Sequence, residues 1–192
     1  MPNLLQKLTQ LDAILFEGNA PLVRYFNAGL PKEEIVSFLT SHGIASHPDL
    51  VTFYHWHNGI DTVYGRYDEE VNLVPFGSFF NMEEMLQMRE IFREWAVDDF
   101  GELNQFGNIE EVMPLLGTGE SDMFLLNTTT GRILAYQPMI QVYGELEFRS
   151  IEGLIDVVLE CFAKGVYKID PGKGIIIDMD GYQAVQAKHL GG

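Results

Sequence analysis

The chain has 192 residues, of which 28 are acidic and 12 are basic, so its formal net charge is −16. A hydrophobic content of 46% is enough to fill the core of one ordinary domain and excludes wholesale disorder. No stripe of Lys or Arg is present to neutralise phosphates, so nucleic acid and anionic membranes are disfavoured as partners and basic proteins are favoured.

The single cysteine, Cys161, excludes an intramolecular disulfide and fits a reducing compartment. The N-terminal residues lack the continuous apolar run of a signal peptide. No stretch approaches the ~20 apolar residues that span a membrane. We therefore expect a soluble, cytoplasmic protein.

Helices are predicted along the first 60 residues. The first is amphipathic and ends near Gly18, and its leucines recur at spacings of four, three and four. A short helical piece follows Pro21, and Pro31 stands at the first position of the next helix, which Gly43 ends. The leucines of the first helix are Leu4, Leu8, Leu11 and Leu15.

A further helix is predicted to begin at Pro48 and to end at Asn58-Gly59, because both of these residues tolerate the left-handed conformation. On this helix His57 would lie on the apolar face beside Phe53 and Tyr54. The pattern thus predicts a partly buried His57 ring and a structural role for Gly59.

The middle of the chain is predicted to contain one strand and one helix. The apolar run Val71–Val74 predicts the strand, and Asn81 with Glu84 resembles a capping box at the start of the helix. Residues 100–109 are rich in glycine and asparagine and indicate a loop. One side of the helix would carry Met85, Met88, Phe92 and Trp95.

A β-hairpin is the most specific prediction. Met123–Leu126 and Ile133–Tyr136 flank a Thr-rich turn that closes on Gly131, where a positive φ is expected. Further strands are predicted around Val112–Leu116 and Gln141–Phe148.

A final helix is predicted after Ser150, its N-cap, with an apolar stripe that runs to Phe162 and a stop at Gly165. From Asp170 a Gly-rich turn, the apolar run Ile175–Ile177 and a mixed end follow. Helices first, then strands, then a helix predict an α+β fold in which helices pack on a central, largely antiparallel sheet.

The histidines suggest a metal site, but their spacing does not support one. Four of the five fall within residues 42–57, yet on a helix His55 and His57 would point about 200° apart. Neither a His-Glu-x-x-His motif nor a Cys/His framework is present. We predict no metal, no cofactor and no catalytic residue, and Cys161 is predicted to be a core residue. An unrecognised metal-dependent hydrolase ranks as the weakest alternative.

Three segments of the chain carry a resemblance to a known family. The first comprises Gly29-Leu30-Pro31, His47-Pro48-Asp49-Leu50 and His57-Asn58-Gly59. The second is the strand and hairpin region from Met113-Pro114 through Gly117–Asp122 and Phe124–Asn127 to Thr130-Gly131 and Ile133. The third is Ser150 with its helix. In this order and at this spacing, the segments resemble the SUKH superfamily of SMI1/KNR4-like domains.

This resemblance implies a family core over residues 21–169 with an insertion near 82–107, preceded by a helix over 1–20 and followed by an extension over 170–192. It also implies a non-enzymatic immunity protein that binds and neutralises a basic toxin domain, possibly a nuclease. An intracellular scaffold or regulatory module of the same family is the alternative. The oligomeric state stays open.

The predicted partner surface is acidic and aromatic. Tyrosine gives contact area at low entropic cost, and carboxylates steer a basic partner towards the surface. Two acidic pairs, at 69–70 and 98–99, fall outside the predicted helix caps and are therefore candidates for contacts. The predicted contact residues are Asp61, Tyr64, Tyr67, Asp68, Glu69, Glu70, Asp98 and Asp99.

Overall fold

The computed structural model describes residues 3–60, 71–75, 77–98, 108–118, 122–137 and 142–191. Within these ranges the chain forms six α-helices and a mostly antiparallel set of strands, with helices packed on the sheets. The predicted α+β class is confirmed.

The helices are α1 (Leu4–Glu17), α2 (Lys32–Ser41), α3 (Pro48–Trp56), α4 (Met82–Asp98), α5 (Ile151–Ala163) and α6 (Met179–Leu190). Short 3-10 helices cover Pro21–Tyr25 and Ile109–Glu111. The strands are β1 (Phe26–Ala28), β2 (His57–Ile60), β3 (Ser78–Phe79), β4 (Val112–Gly117), β5 (Met123–Asn127), β6 (Ile133–Gln137), β7 (Val142–Phe148), β8 (Tyr167–Asp170) and β9 (Gly174–Ile177).

The central sheet has the order β3-β4-β5-β6-β7, and every pair of neighbours is antiparallel. The predicted hairpin is its middle: Leu125 lies opposite Leu134, and Met123 lies opposite Tyr136. All residues of β4 and β5 are buried. Continuous apolar strands of this kind are expected where a sheet is covered on both faces.

Helices α1 and α5 pack against each other beside this sheet. The predicted leucine stripe of α1 is buried, and Asn3 caps the helix with a full capping box. Ser150 caps α5 as predicted, since its side chain accepts a hydrogen bond from the backbone N–H of Gly153 at 2.9 Å. The apolar stripe of α5 is likewise buried.

Two predicted boundaries are wrong. Helix α3 ends at Trp56 because His57 starts β2 and pairs with Ala28 of β1; the pairing with β1 takes precedence over the helical pattern. Pro31 stands one position before α2, with an extended ψ of 139°, so it is the N-cap rather than the first helical residue.

The predicted strand at Val71–Val74 is also wrong. These residues form a buried turn, in which Leu73 N–H donates to the carbonyl of Gly77 at 2.9 Å and Gly77 N–H donates to the carbonyl of Val74 at 3.1 Å. The strand starts after this turn, at Ser78. An apolar run shows that the segment is buried without fixing whether it is a strand.

The tail forms a second hairpin and a helix. Strands β8 and β9 pair in antiparallel fashion, and α6 packs on α5 and on β7, the edge of the central sheet. Helix α6 was not predicted, because its apolar positions are few: Tyr182 and Val185 are its buried residues.

Candidate functional site

The segment predicted to contact a partner lies outside the described residues, as does the predicted loop up to residue 107. The chain enters and leaves segment 61–70 through Ile60 and Val71, which are both buried. Asp98 is the last residue of α4. The predicted contact residues outside the described ranges are Asp61, Tyr64, Tyr67, Asp68, Glu69, Glu70 and Asp99.

Helix α4 presents an acidic face to solvent. Glu83, Glu90 and Glu94 are exposed and, at spacings of seven and four, lie on one side of the helix. The opposite side buries Met85 and Phe92 in the core, as predicted. Helix α4 therefore holds a row of carboxylates that leads towards Asp98.

An arginine pair fixes this helix to the sheet. The buried Arg89 donates through Nη2 to the Glu110 carbonyl at 2.9 Å, and Arg93 pairs with the carboxylates of Glu90 and Glu110. Burial, and then the neighbouring Arg93, lower the pKa of Arg89. The contact joins α4 to the short helix ahead of β4 and so gives the acidic face a rigid support.

The structure does not bring the histidines together. His42 bonds the Phe38 carbonyl at 2.8 Å, and His55 bonds the Leu30 carbonyl at 2.8 Å. His47 caps α3 by accepting from the N–H of Asp49 at 3.3 Å. Across the described part of the chain, no group of three or more His, Cys, Asp or Glu residues could hold a metal ion.

One histidine has a carboxylate partner that the sequence did not reveal. His57 Nε2 lies 3.1 Å from Asp12 Oδ1, and Trp56 Nε1 donates to Asp12 Oδ2 at 2.8 Å. The ring stacks on Phe26 with centroids 4.1 Å apart, and its Nδ1 lies 3.3 Å from the Asn27 carbonyl. Through these contacts the His57 ring joins β2 to α1 and to β1.

This pair could not be found from local patterns. Asp12 and His57 are 45 residues apart in the chain, and each lies next to an apolar stripe that predicts packing. The partial burial of the His57 ring was predicted and is observed, but it results from the strand and not from a helix.

An open groove of about 340 Å³ lies between α1, α5, α6 and the end of β7. Lys7 extends into it, and its ammonium group lies 2.7 Å from Glu152 and 2.7 Å from Asp156. Burial acts to lower the pKa of Lys7, but the hydrogen bonds to the two carboxylates outweigh it and raise that pKa. The groove also contains Glu147, Arg149, Gln186 and His189.

The charges of this groove are largely paired within the protein. Gln186 donates to Glu147, and Arg149 donates to the Leu190 carbonyl, so both contacts hold α6 against the end of β7. The polar contacts of the groove thus join α1 to α5 and α6 to the end of β7.

Cys161 is a core residue, as predicted. Its side chain is fully buried, and burial, reinforced by Glu160, raises the pKa of the thiol to about 11. At neutral pH the group is therefore a neutral thiol and a poor nucleophile.

Two glycines hold close contacts between segments. Gly59 has a φ of +68°, and a Cβ there would lie 2.3 Å from the backbone nitrogen of Asn81. Gly131 has the predicted positive φ, +72°, and a Cβ there would lie 2.8 Å from Nε2 of His47. The hairpin turn thus packs directly on the residue that caps α3.

Comparison with known proteins finds no family model that matches the chain and no curated protein that matches it. In the described ranges, no helix combines the length and the apolar character needed to cross a membrane. The fold defines an α+β protein.

Proposed function

We propose that this protein is a non-enzymatic binding protein, of the SMI1/KNR4-like type that its sequence resembles, which binds and neutralises a basic toxin domain. The observation that carries the proposal is the acidic excess of 16 charges, together with the exposed carboxylate row on α4. Such a surface accelerates association with a basic partner and repels nucleic acid.

The packing of the resembling segments supports the same proposal. Gly131 of the second segment lies against His47 of the first, and Gly29 of the first lies against α3, where a Cβ would come within 2.0 Å of the His55 carbonyl oxygen. Residues that carry the resemblance are thus used to hold one core together. A scaffold of this kind keeps Glu83 and Glu94 of α4 exposed on its surface.

The proposed binding surface consists of the α4 face and the predicted contact residues of segment 61–70 with Asp98 and Asp99. The α4 face is a rigid platform because Arg89 and the buried side of the helix fix it to the sheet. A preorganised acidic surface loses little conformational entropy on binding.

Co-expression tests the proposed function. Cells that produce one cognate toxin domain should survive when this protein is present, whereas cells that produce unrelated toxins should not. Specific rescue supports the immunity role. Failure to rescue any toxin, combined with binding to several unrelated intracellular proteins, would instead support the alternative of a scaffold or regulatory module.

Charge reversal tests the surface. Glu94→Lys should lower the association rate constant with the partner and flatten its dependence on salt, because steering charges act mainly on association. Glu17→Lys is the matched control, since Glu17 is also exposed, lies near the end of α1 and undergoes the same charge change. Equal effects of the two variants would indicate a general charge effect and exclude the α4 face. A triple reversal of Asp68, Glu69 and Glu70 tests the other part of the surface in the same way.

A further inference from the structure

The hairpin formed by β8 and β9 has an apolar strand edge that takes no part in the proposed binding surface. Strand β9 contains three consecutive isoleucines, Ile175–Ile177. Ile175 is buried, whereas Ile176 is 46% exposed on the opposite face of the hairpin. Met179, just after the strand, is 39% exposed. An apolar strand at an open edge is a template for pairing with another strand.

The hydrogen-bond pattern shows which backbone groups of β9 are free. Asp178 N–H donates to the Val166 carbonyl at 3.0 Å, which identifies the pair 166–178 as a hydrogen-bonded one. Hydrogen-bonded pairs alternate in an antiparallel ladder, so Ile175 and Ile177 direct their N–H and C=O groups away from β8. These outward groups of Ile175 and Ile177 have no hydrogen-bond partner in the part of the chain that the structure describes.

The charges around β9 favour a second copy of this chain as the partner that pairs with the free edge of β9. Residues 164–190 carry four lysines and three aspartates, whereas the whole chain carries 16 excess negative charges. Two copies therefore repel each other least at this end. A basic partner would be drawn to the rest of the surface instead.

The ends of β9 are self-complementary. Lys173 precedes the strand, Asp178 follows it, and both are exposed. In an antiparallel pair of identical strands the start of one lies beside the end of the other. With the pair centred on Ile176, Asp178 of one copy lies opposite Gly174 of the other, one residue along the chain from Lys173, and this arrangement occurs twice in the dimer.

We propose that two copies of this protein associate through a two-fold antiparallel pairing of β9 with β9, centred on Ile176. Ile175 of one copy and Ile177 of the other then form hydrogen-bonded pairs, and the two hairpins become one four-stranded sheet. The two Ile176 side chains meet on its outer face as a non-hydrogen-bonded pair, where side chains are closest. Strand β8 is the poorer edge, because Pro171, which continues it, has no N–H to donate.

Sedimentation velocity over a range of concentrations tests the pairing. The wild type should form a dimer whose dissociation constant falls as salt rises, since salt screens the repulsion between two acidic bodies. Ile176→Lys places two like charges opposite each other and should weaken the dimer at least about tenfold. Val36→Lys is the matched control: Val36 is 39% exposed on α2 and should leave the dimer unchanged. A wild type that is monomeric at every concentration, or a dimer that survives Ile176→Lys, would overturn the proposal.

Cross-linking tests the register in Cys161→Ala protein, so that the added cysteine is the single thiol. Residues opposite each other in a non-hydrogen-bonded pair have Cα atoms about 4.5 Å apart, within the range that a disulfide spans. Ile176→Cys should therefore oxidise to a covalent dimer. Met179→Cys, similarly exposed but opposite a different residue, should not. Equal cross-linking of the two variants would show random collision and overturn the register.

Discussion

At the scale of single residues, Gly131 and Gly43 form a natural comparison. Both have a positive φ, +72° and +68°, but a Cβ on Gly43 would meet nothing within 4 Å, whereas one on Gly131 would meet the His47 ring. Gly43→Ala should cost about 1 kcal/mol of unfolding free energy, from the backbone conformation alone. Gly131→Ala should cost at least about 1 kcal/mol more, from the clash. Urea denaturation of the two variants measures the difference.

His47 provides the control for this prediction. Removing the ring relieves the contact, so in a double-mutant cycle Gly131→Ala should cost less on a His47→Ala background, by about 1 kcal/mol. A β-branched residue should be tolerated least, so Gly131→Val should be the most destabilised of the series. Equal stability of Gly131→Ala and Gly43→Ala would mean that the ring moves away without cost, and the turn would not depend on its contact with α3.

Asp12 is the second residue whose contacts predict how much a substitution lowers the free energy of unfolding. Its carboxylate accepts from Trp56 Nε1 and bonds His57, and both partners are largely buried. Asp12→Ala leaves the indole N–H without an acceptor and should cost about 1–3 kcal/mol. Asp12→Asn keeps one oxygen for the indole and should cost clearly less. Unfolding followed by tryptophan fluorescence compares the two, and equal losses would show that the hydrogen bond to Trp56 does not contribute.

At the scale of elements, the attachment of α6 depends on pH. Lys164, Lys188 and His189 surround Glu160 of α5 and hold the pKa of its carboxyl down to about 2, from an ordinary value of 4.5. A lowered pKa means that this stabilisation is complete above pH 4.5 and is lost as the pH falls towards 2. The carboxylate of one helix thus holds two side chains of the other.

The variant Glu160→Gln isolates this effect from the other carboxylates of an acidic protein. It should melt at a lower temperature than the wild type at pH 5 and 6, and the difference should shrink as the pH falls from 4.5 to 2. Thermal unfolding at several pH values gives the difference curve directly. A difference that stays constant over this range would show that the ion pairs do not stabilise the native state.

The elements also show what the sequence can predict. Apolar periodicity predicted α1 and α5, and Ser150 predicted the start of α5. Two apolar runs around a Thr-rich turn predicted the central hairpin and the positive φ at Gly131. One error has a distant cause, since pairing with β1 takes His57 out of the helix. The other has a local cause, since a turn closed on Gly77 includes Val71–Val74 and the strand begins only after it. Helix α6 has too few apolar positions to be recognised from sequence periodicity, because its contacts with α5 are largely polar.

At the scale of the whole molecule, the N-terminal helix, the central part and the tail share one hydrophobic core. The buried cluster runs from Leu4 in α1 to Val185 in α6 and includes both arms of the hairpin and the stripe of α5. The candidate site could be anticipated only as acidic in character, because charge is read from composition. The contacts of Asp12 and Lys7 depend on which elements meet, and a single sequence does not supply that.

A continuous core predicts that the chain unfolds as one cooperative unit. Cys161 reports on this, because it is buried in α5 beside the tail residues Tyr167 and Tyr182, whose pKa values burial raises. Because Cys161 is buried, a thiol reagent can label it only after part of the structure has opened. If the tail opens only with the rest, the free energy and the urea dependence of labelling should equal those of global unfolding followed by circular dichroism. If α6 and the hairpin detach first, labelling should be faster and nearly independent of urea, because a small opening exposes little surface. We expect the first result, since Tyr167, Tyr182 and Val185 contribute to the same core that α1 and the hairpin complete.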